Sequence, residues 1–385
     1  TRGAEGDVIF EIQPGTYTEQ AHISDFPGNG VYHITFRSQA GDANSVLWQY
    51  ESTNDEHNYV LKLDNVSLFT FEQLHIKALE NYYYGVVINL TNADDITFRE
   101  NRLEGTSSSY SDFARRMIFT NTASPATVCE NLQLIENQFL KGGYALYFET
   151  QGSITANTIT IQGNTFENQR TALVVNNVNN SIIENNAFSA THSNGSYNGL
   201  TMNNGQTTLI SGNTFSATRP GTAFSLNNFT GKAEILKNKI SGASTGVSFG
   251  GLNTSARSLI ANNFIQVGDG GTGYGIQGQG NSKVDIYHNS VLNIAISTTI
   301  QSNINNGAIA LNGSGGNYKL KNNTFSSTGG GLAISLSTSN TYESDYNNLH
   351  QVPNGLANIL GLSQSGYRRS LAEWQTANPA LDDHS

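Results

Sequence analysis

One short phrase recurs along the chain and restricts its fold more than any other feature. It reads apolar, any, any, Asn, any, apolar. Copies lie at 98–103 (Asn101), 161–166 (Asn164), 183–188 (Asn186), 210–215 (Asn213), 235–240 (Asn238), 260–265 (Asn263), 286–291 (Asn289) and 320–325 (Asn323). A version one residue shorter sits at 135–139 around Asn137. Successive Asn are 36, 27, 22, 27, 25, 25, 26 and 34 residues apart. After most copies comes a small residue and alternating apolars, as in Gly143-Tyr-Ala-Leu-Tyr-Phe148 and Gly307-Ala-Ile-Ala-Leu311. Alternation at period two marks strands, not helices. A unit of about 25 residues cannot bury its own apolar face, so it must stack on its neighbours. The sequence therefore predicts an all-β chain, a right-handed parallel β-helix with three short strands per coil. About 11–12 coils, some 4.8 Å apart, would build a rod of about 55 Å. The Asn are expected at corners, where Asn tolerates left-handed backbone and bonds nearby main chain. Stacked coil on coil, their amides are expected to form a ladder.

Less regular coils begin near residue 7, with strands expected at 8–12, 32–36, 46–50, 59–63 and 68–76, and Leu74 falling in the Asn slot. A long outward loop is expected near 105–131. Coils are assigned to 1–340 and a C-terminal cap to 341–385. Within the cap, Ser370-Leu-Ala-Glu373 has capping-box spacing and predicts a short helix over 371–377. Solenoid ends expose strand edges and need cover. Ahead of residue 7 no such cover is legible, and a preceding coil or domain is expected outside this chain. No leader is legible either, so the chain reads as a mature or excised segment.

The phrase Gly6-Asp-Val-Ile-Phe-Glu-Ile-Gln-Pro-Gly-Thr-Tyr-Thr-Glu-Gln20, with Ile34-Thr-Phe-Arg-Ser38 and the Asn-x-Phe coils, resembles the right-handed parallel β-helix repeat domains of large secreted Bacteroidetes surface proteins. That resemblance implies export by the type IX route, an extracellular or cell-surface location, and neighbouring domains in a longer adhesin-like polypeptide. It implies no defined chemistry, since this fold also carries pectate lyases, polygalacturonases, alginate and chondroitin lyases and phage tailspikes.

Composition narrows the function. Residues 1–150 hold 20 acids against nine bases; residues 151–385 hold 10 against 11. An acidic balance argues against nucleic acid. No apolar run approaches the roughly 20 residues that span a bilayer. Cys129 is the single cysteine, which rules out an internal disulfide and a multi-thiolate zinc site.

Two kinds of side chain are candidates for chemistry. For an enzyme, a glycoside hydrolase or polysaccharide lyase, the candidates are Asp94, Asp95, Arg99 and Arg102. Acids and bases coexist there, and such enzymes need paired carboxylates, or a base with a cation or Ca²⁺ to neutralise a uronate. The polygalacturonase phrases Asn-x-Asp, Gly-His-Gly and Arg-x-Lys are absent, and Asp94-Asp95 reads as a corner. For binding, the candidates are the aromatic rings of Trp48, Tyr50, Tyr82, Tyr83, Tyr84 and Tyr110, on which sugars stack. No cofactor is expected; Ca²⁺ is the one ion entertained, on the weak Gly268–Gly273 turn. The leading expectation is a noncatalytic extracellular surface module, adhesive or structural, with polysaccharide or surface glycan as ligand. The enzyme and a plain spacer segment stay open as alternatives.

Overall fold

A computed structural model describes residues 5–26, 28–80, 84–107, 115–120, 129–149, 157–191, 195–218, 221–252, 256–268, 273–296, 306–352, 359–363 and 366–385. The chain is nearly all β, a right-handed parallel β-solenoid of about 11 turns with one short C-terminal helix. It forms two compact units, Thr1–Ser189 and Ala190–Ser385.

Each coil carries strands on three faces. In one coil of the first unit these are Tyr144–Glu149 on face one, Thr158–Gln162 on face two and Thr165–Glu167 on face three. Each strand pairs in parallel with its equivalent one coil away, as Tyr147 with Val174, Ile161 with Ile183 and Phe166 with Phe188. The 12-residue strands Leu61–Glu72 and Ile88–Arg99 bend across faces one and two. Equivalent side chains therefore stack. Phe10, Phe36, Phe71 and Phe98 form one file with ring centroids 4.7, 5.3 and 5.3 Å apart. Phe139, Phe166 and Phe188 form another, 4.9 Å apart at each step. The first file ends at the half-exposed Phe10, beside a hollow of about 540 Å³ lined by Tyr17, Ile23, Phe36 and Trp48.

The Asn ladder exists in both units. In the first, the amide of Asn137 donates to Asn164 Oδ1 (3.0 Å) and to the Phe98 carbonyl one coil back (2.8 Å). Its Oδ1 accepts from the backbone N–H and the amide of Asn101. Leu74 does hold the Asn slot: its N–H donates to Asn101 Oδ1 at 3.0 Å. In the second unit, Asn213, Asn238, Asn263, Asn289, Asn323 and Asn347 repeat the pattern. Buried amides with all four hydrogen-bonding sites used meet the demand that a dry interior places on polar groups.

One local expectation is corrected. The ladder Asn are not left-handed; the residue just before each is. These are Glu100, Glu136, Gly163, Asn185, Gly212, Lys237, Asn262, His288, Asn322 and Tyr346. The corner needs one residue of positive φ to turn the chain. The next residue must keep ordinary backbone so that its amide points along the stack.

The C-terminal helix α1 (Leu371–Ala377) lies where the capping-box spacing placed it. Ser370 Oγ accepts from the Glu373 N–H, and Glu373 reaches back to the Arg369 N–H. Trp374 is fully buried and packs on Gly361, where a Cβ would come within 2.7 Å of its ring.

Candidate functional site

The four residues proposed for catalysis do not converge. Asp94 and Asp95 form a corner: Asp94 accepts from the Glu130 N–H (2.8 Å) and Asp95 from the Asn131 amide (2.7 Å). Burial, ahead of its acidic neighbours, raises the Asp94 pKa. Arg99 lies on face two and bonds Glu72. It closes a file of alternating sign, Glu11–Arg37–Glu72–Arg99, in strict register. Such surface pairs contribute little stability each. Arg102 sits beyond the Asn corner on face three, in register with His75 and Gln138.

Around Arg102 the structure gathers charges from three stretches of sequence. Glu104 is buried. Its Oε1 faces Lys141 Nζ (3.0 Å) and Lys77 Nζ (3.3 Å); its Oε2 faces His75 Nε2 (3.2 Å) and the Arg102 guanidinium (3.8 Å). Burial alone would raise the Glu104 pKa, but the hydrogen bonds and charges of Lys141 and Lys77 outweigh it and hold the carboxyl below its usual range. Burial, with Arg102 and Lys77 adding to it, lowers His75. His75 is therefore neutral at pH 7. An NMR titration should place its midpoint below the ordinary value of about 6.5. Both shifts have one sign for stability. Protonating His75 below 6.5 costs folding energy, and Glu104 loses its contribution as pH falls through its depressed pKa, so acid weakens this patch.

The aromatic candidates are also rearranged. To serve as binding rings, Trp48 and Tyr50 would have to face outward. Trp48 instead points inward, 8% exposed, with Nε1 donating to the Glu19 carbonyl at 3.0 Å. Leu47 takes the outer position, in register with His75. Alternation fixes which residues share a side, not which side faces in. Val46 and the Tyr17 register partner of Trp48 settle that, and Tyr50 shares the inward phase and is half-buried. Tyr84 is half-buried; Tyr82, Tyr83 and Tyr110 lie outside the described residues.

The outward rings lie elsewhere, on face one. Phe119 of strand Arg116–Thr120, a face-one strand inside the interval expected as an outward loop, and Tyr147 of strand Tyr144–Glu149 are register partners on adjacent coils. Their side chains are partly exposed and follow Lys62 and Asn89 in one outward file. The Arg116 guanidinium lies 3.7 Å from the Phe119 ring centroid and 5.1 Å from that of Tyr147. Tyr144 meets Tyr147 edge-on at 5.7 Å. The Tyr147 hydroxyl donates to Glu149 Oε2 at 2.9 Å; burial, then that carboxylate, pushes its pKa up to about 12. The result is a platform of rings with a cation over it and a hydroxyl–carboxylate pair at its edge, suited to stacking a sugar and bonding its hydroxyls. The sequence held the signal, in the alternation of 143–148 and in Arg115-Arg116, but the pairing across coils was not visible in it. Cys129 is buried: its thiol donates to the Ala93 carbonyl, and burial raises its pKa.

Among the described residues no three His, Cys, Asp or Glu side chains gather as a metal site, and no helix is long and apolar enough to cross a membrane.

Residues 144–325 match the family described as the right handed beta helix region. No curated protein matches the chain. Among solved structures, a mannuronic acid specific polysaccharide family 6 lyase from human gut microbiota is similar at 12% identity and TM-score 0.43, over 88% of this chain and 79% of its own. An exopolygalacturonase of Thermotoga maritima is similar at 11% identity and TM-score 0.41, over 94% and 95%. The A-module of an Azotobacter vinelandii mannuronan C-5 epimerase is similar at 10% identity and TM-score 0.35, over 93% and 90%.

Proposed function

We propose that the protein is a noncatalytic, glycan-binding module of an extracellular or cell-surface polypeptide, of the kind that large secreted Bacteroidetes proteins carry. It holds sugar on face one. The observation that carries this reading is the Phe119–Tyr147 pair with Arg116 over both rings. Rings presented on successive coils are spaced like strands, so a polymer can lie across them. Stacking on each ring adds burial, while Arg116 and Glu149 offer directional hydrogen bonds.

The test is binding of the purified chain to a panel of plant, algal and host polysaccharides. Tyr147→Ala and Phe119→Ala should each weaken the best ligand about tenfold, on the order of 1–2 kcal/mol per ring. Unchanged affinity in both variants would move the site off this face.

A polysaccharide lyase is the second reading, favoured by the cation, carboxylate and phenol grouped at the same platform. It fits this geometry less well, because a phenol held near 12 is a poor proton acceptor at neutral pH. Unsaturated or reducing ends released during the same incubations, with Ca²⁺ present, would establish it over binding.

A further inference from the structure

We propose that face three of the first unit carries a separate oxyanion site, in which Arg102 forks onto a carboxylate or sulfate group borne by an acidic polymer, with Lys77 and Lys141 beside it. Three observations converge. First, three cations crowd one carboxylate. With His75 neutral, Lys77, Arg102 and Lys141 carry three positive charges against the one negative charge of Glu104. This excess stands within residues 1–150, where acids outnumber bases 20 to nine. Second, Glu104 is already satisfied without Arg102. Its Oε1 takes both lysines and its Oε2 takes His75 at 3.2 Å, while Arg102 comes no nearer than 3.8 Å, an ion-pair contact and not a hydrogen bond. Third, Arg102 Nε is buried and makes no hydrogen bond, and no bond of the guanidinium to a described residue is found. Nε itself is closed to solvent, but the side chain is 34% exposed, so the terminal N–H groups of the guanidinium are open to a ligand.

The chemistry of the ligand follows from the donor. A guanidinium offers parallel N–H groups that fit two oxygens of one planar or tetrahedral oxyanion. Lys77 and Lys141 keep donors beyond those spent on Glu104. The face is open rather than enclosed, so a single small anion is held weakly. A polymer gains by engaging several groups at once along neighbouring coils. The site is independent of the aromatic platform, which lies on another face and selects rings rather than charge.

Polygalacturonate, dextran sulfate and uncharged dextran distinguish the sources of the oxyanion. Affinity electrophoresis of the full chain at low salt should show retardation by one or both polyanions, weakening as salt rises. Arg102→Gln should weaken that binding about tenfold. Arg102→Lys should recover only part, because it keeps the charge and loses the fork. Lys232→Gln, an exposed cation of the second unit paired with Glu234, controls for net charge and should change affinity less than about twofold. Thermal melting of each variant separates lost binding from lost folding. Preference for polygalacturonate assigns a carboxylate ligand, and preference for dextran sulfate a sulfate ester. No binding of either polyanion by the unmodified chain, or equal binding by folded Arg102→Gln, overturns the proposal. Full recovery by Arg102→Lys overturns the fork. Failure of the face-one reading shows instead as unaltered binding in Tyr147→Ala and Phe119→Ala, with the Arg102 result intact.

Discussion

Asn263→Ala should destabilise the second unit by about 3–5 kcal/mol, the largest effect expected of a single ladder position. Asn263 accepts from the Asn238 N–H (2.9 Å) and amide (3.0 Å), and donates to the Ile235 carbonyl (2.8 Å) and Asn289 Oδ1 (2.9 Å). Truncation orphans the two Asn238 donors in a dry interior and takes one donor each from the Ile235 and Ala261 carbonyls and from Asn289 Oδ1, which keeps the Asn263 N–H. Each orphan costs roughly 1–3 kcal/mol, and relaxation or an admitted water recovers part of the sum. At roughly 2–4 °C per kcal/mol for a unit of this size, melting should fall by about 10 °C. Urea unfolding with circular dichroism measures it. Lys239→Ala, outward on the preceding coil, should stay within about 0.5 kcal/mol. A cost below about 1 kcal/mol for Asn263→Ala would mean that coil stacking rests on apolar burial alone, with the ladder as a passenger.

Asp382→Ala should release the C-terminal cap. Asp382 is fully buried, with no cation among its hydrogen-bond partners. Its carboxylate accepts from Ser344 Oγ (2.9 and 3.0 Å), the Asn347 amide (2.9 Å), Trp374 Nε1 (3.0 Å) and Ser385 Oγ (2.9 Å). Ser385 Oγ in turn accepts the Asn347 N–H at 2.8 Å. Elsewhere in the ladder one Asn Oδ1 receives both donors of the preceding Asn; at the end Asp382 and Ser385 divide that task. The cap thus supplies the acceptors that the next ladder Asn supplies elsewhere, and α1 is tied to it through Trp374. Removing the carboxylate leaves four donors unpaired, a loss of about 3–5 kcal/mol concentrated on the cap. Trp374 emission should shift to the red while the coils stay folded, and uncovered strand edges should bring self-association by size-exclusion chromatography. Asp382→Asn should fall between, because its amide nitrogen faces donors. Unaltered Trp374 emission in Asp382→Ala would show that apolar packing on Gly361 holds the helix by itself.

The face-one platform and the Arg102 cluster illustrate what was legible beforehand. Arg102 is legible from sequence as a charged candidate, and it does enter a charged cluster with Lys77 and Glu104. Lys141, one coil further on, completes it, and its distance of 37 residues from Glu104 concealed the contact. Arg99, three positions from Arg102, was grouped with it but turns onto a different face, since a corner lies between them. Trp48 is a candidate surface ring in the sequence because alternation leaves the absolute phase open. Phe119 was not singled out at all, because its partner ring is 28 residues away on the next coil.

Sequence by itself determined the fold class, the Asn ladder, the Leu74 substitution within it and the position of α1. Those follow from local rules repeated at a near-constant interval: period-two alternation, corner chemistry and helix capping, each written within six or seven residues. The tertiary structure alone decided which side chains meet. Corner-to-corner lengths range from 22 to 36 residues, so register between coils is fixed only when the insertions are folded out and the strands align. Function on a solenoid face depends on that register, because every outward file draws one residue from each coil.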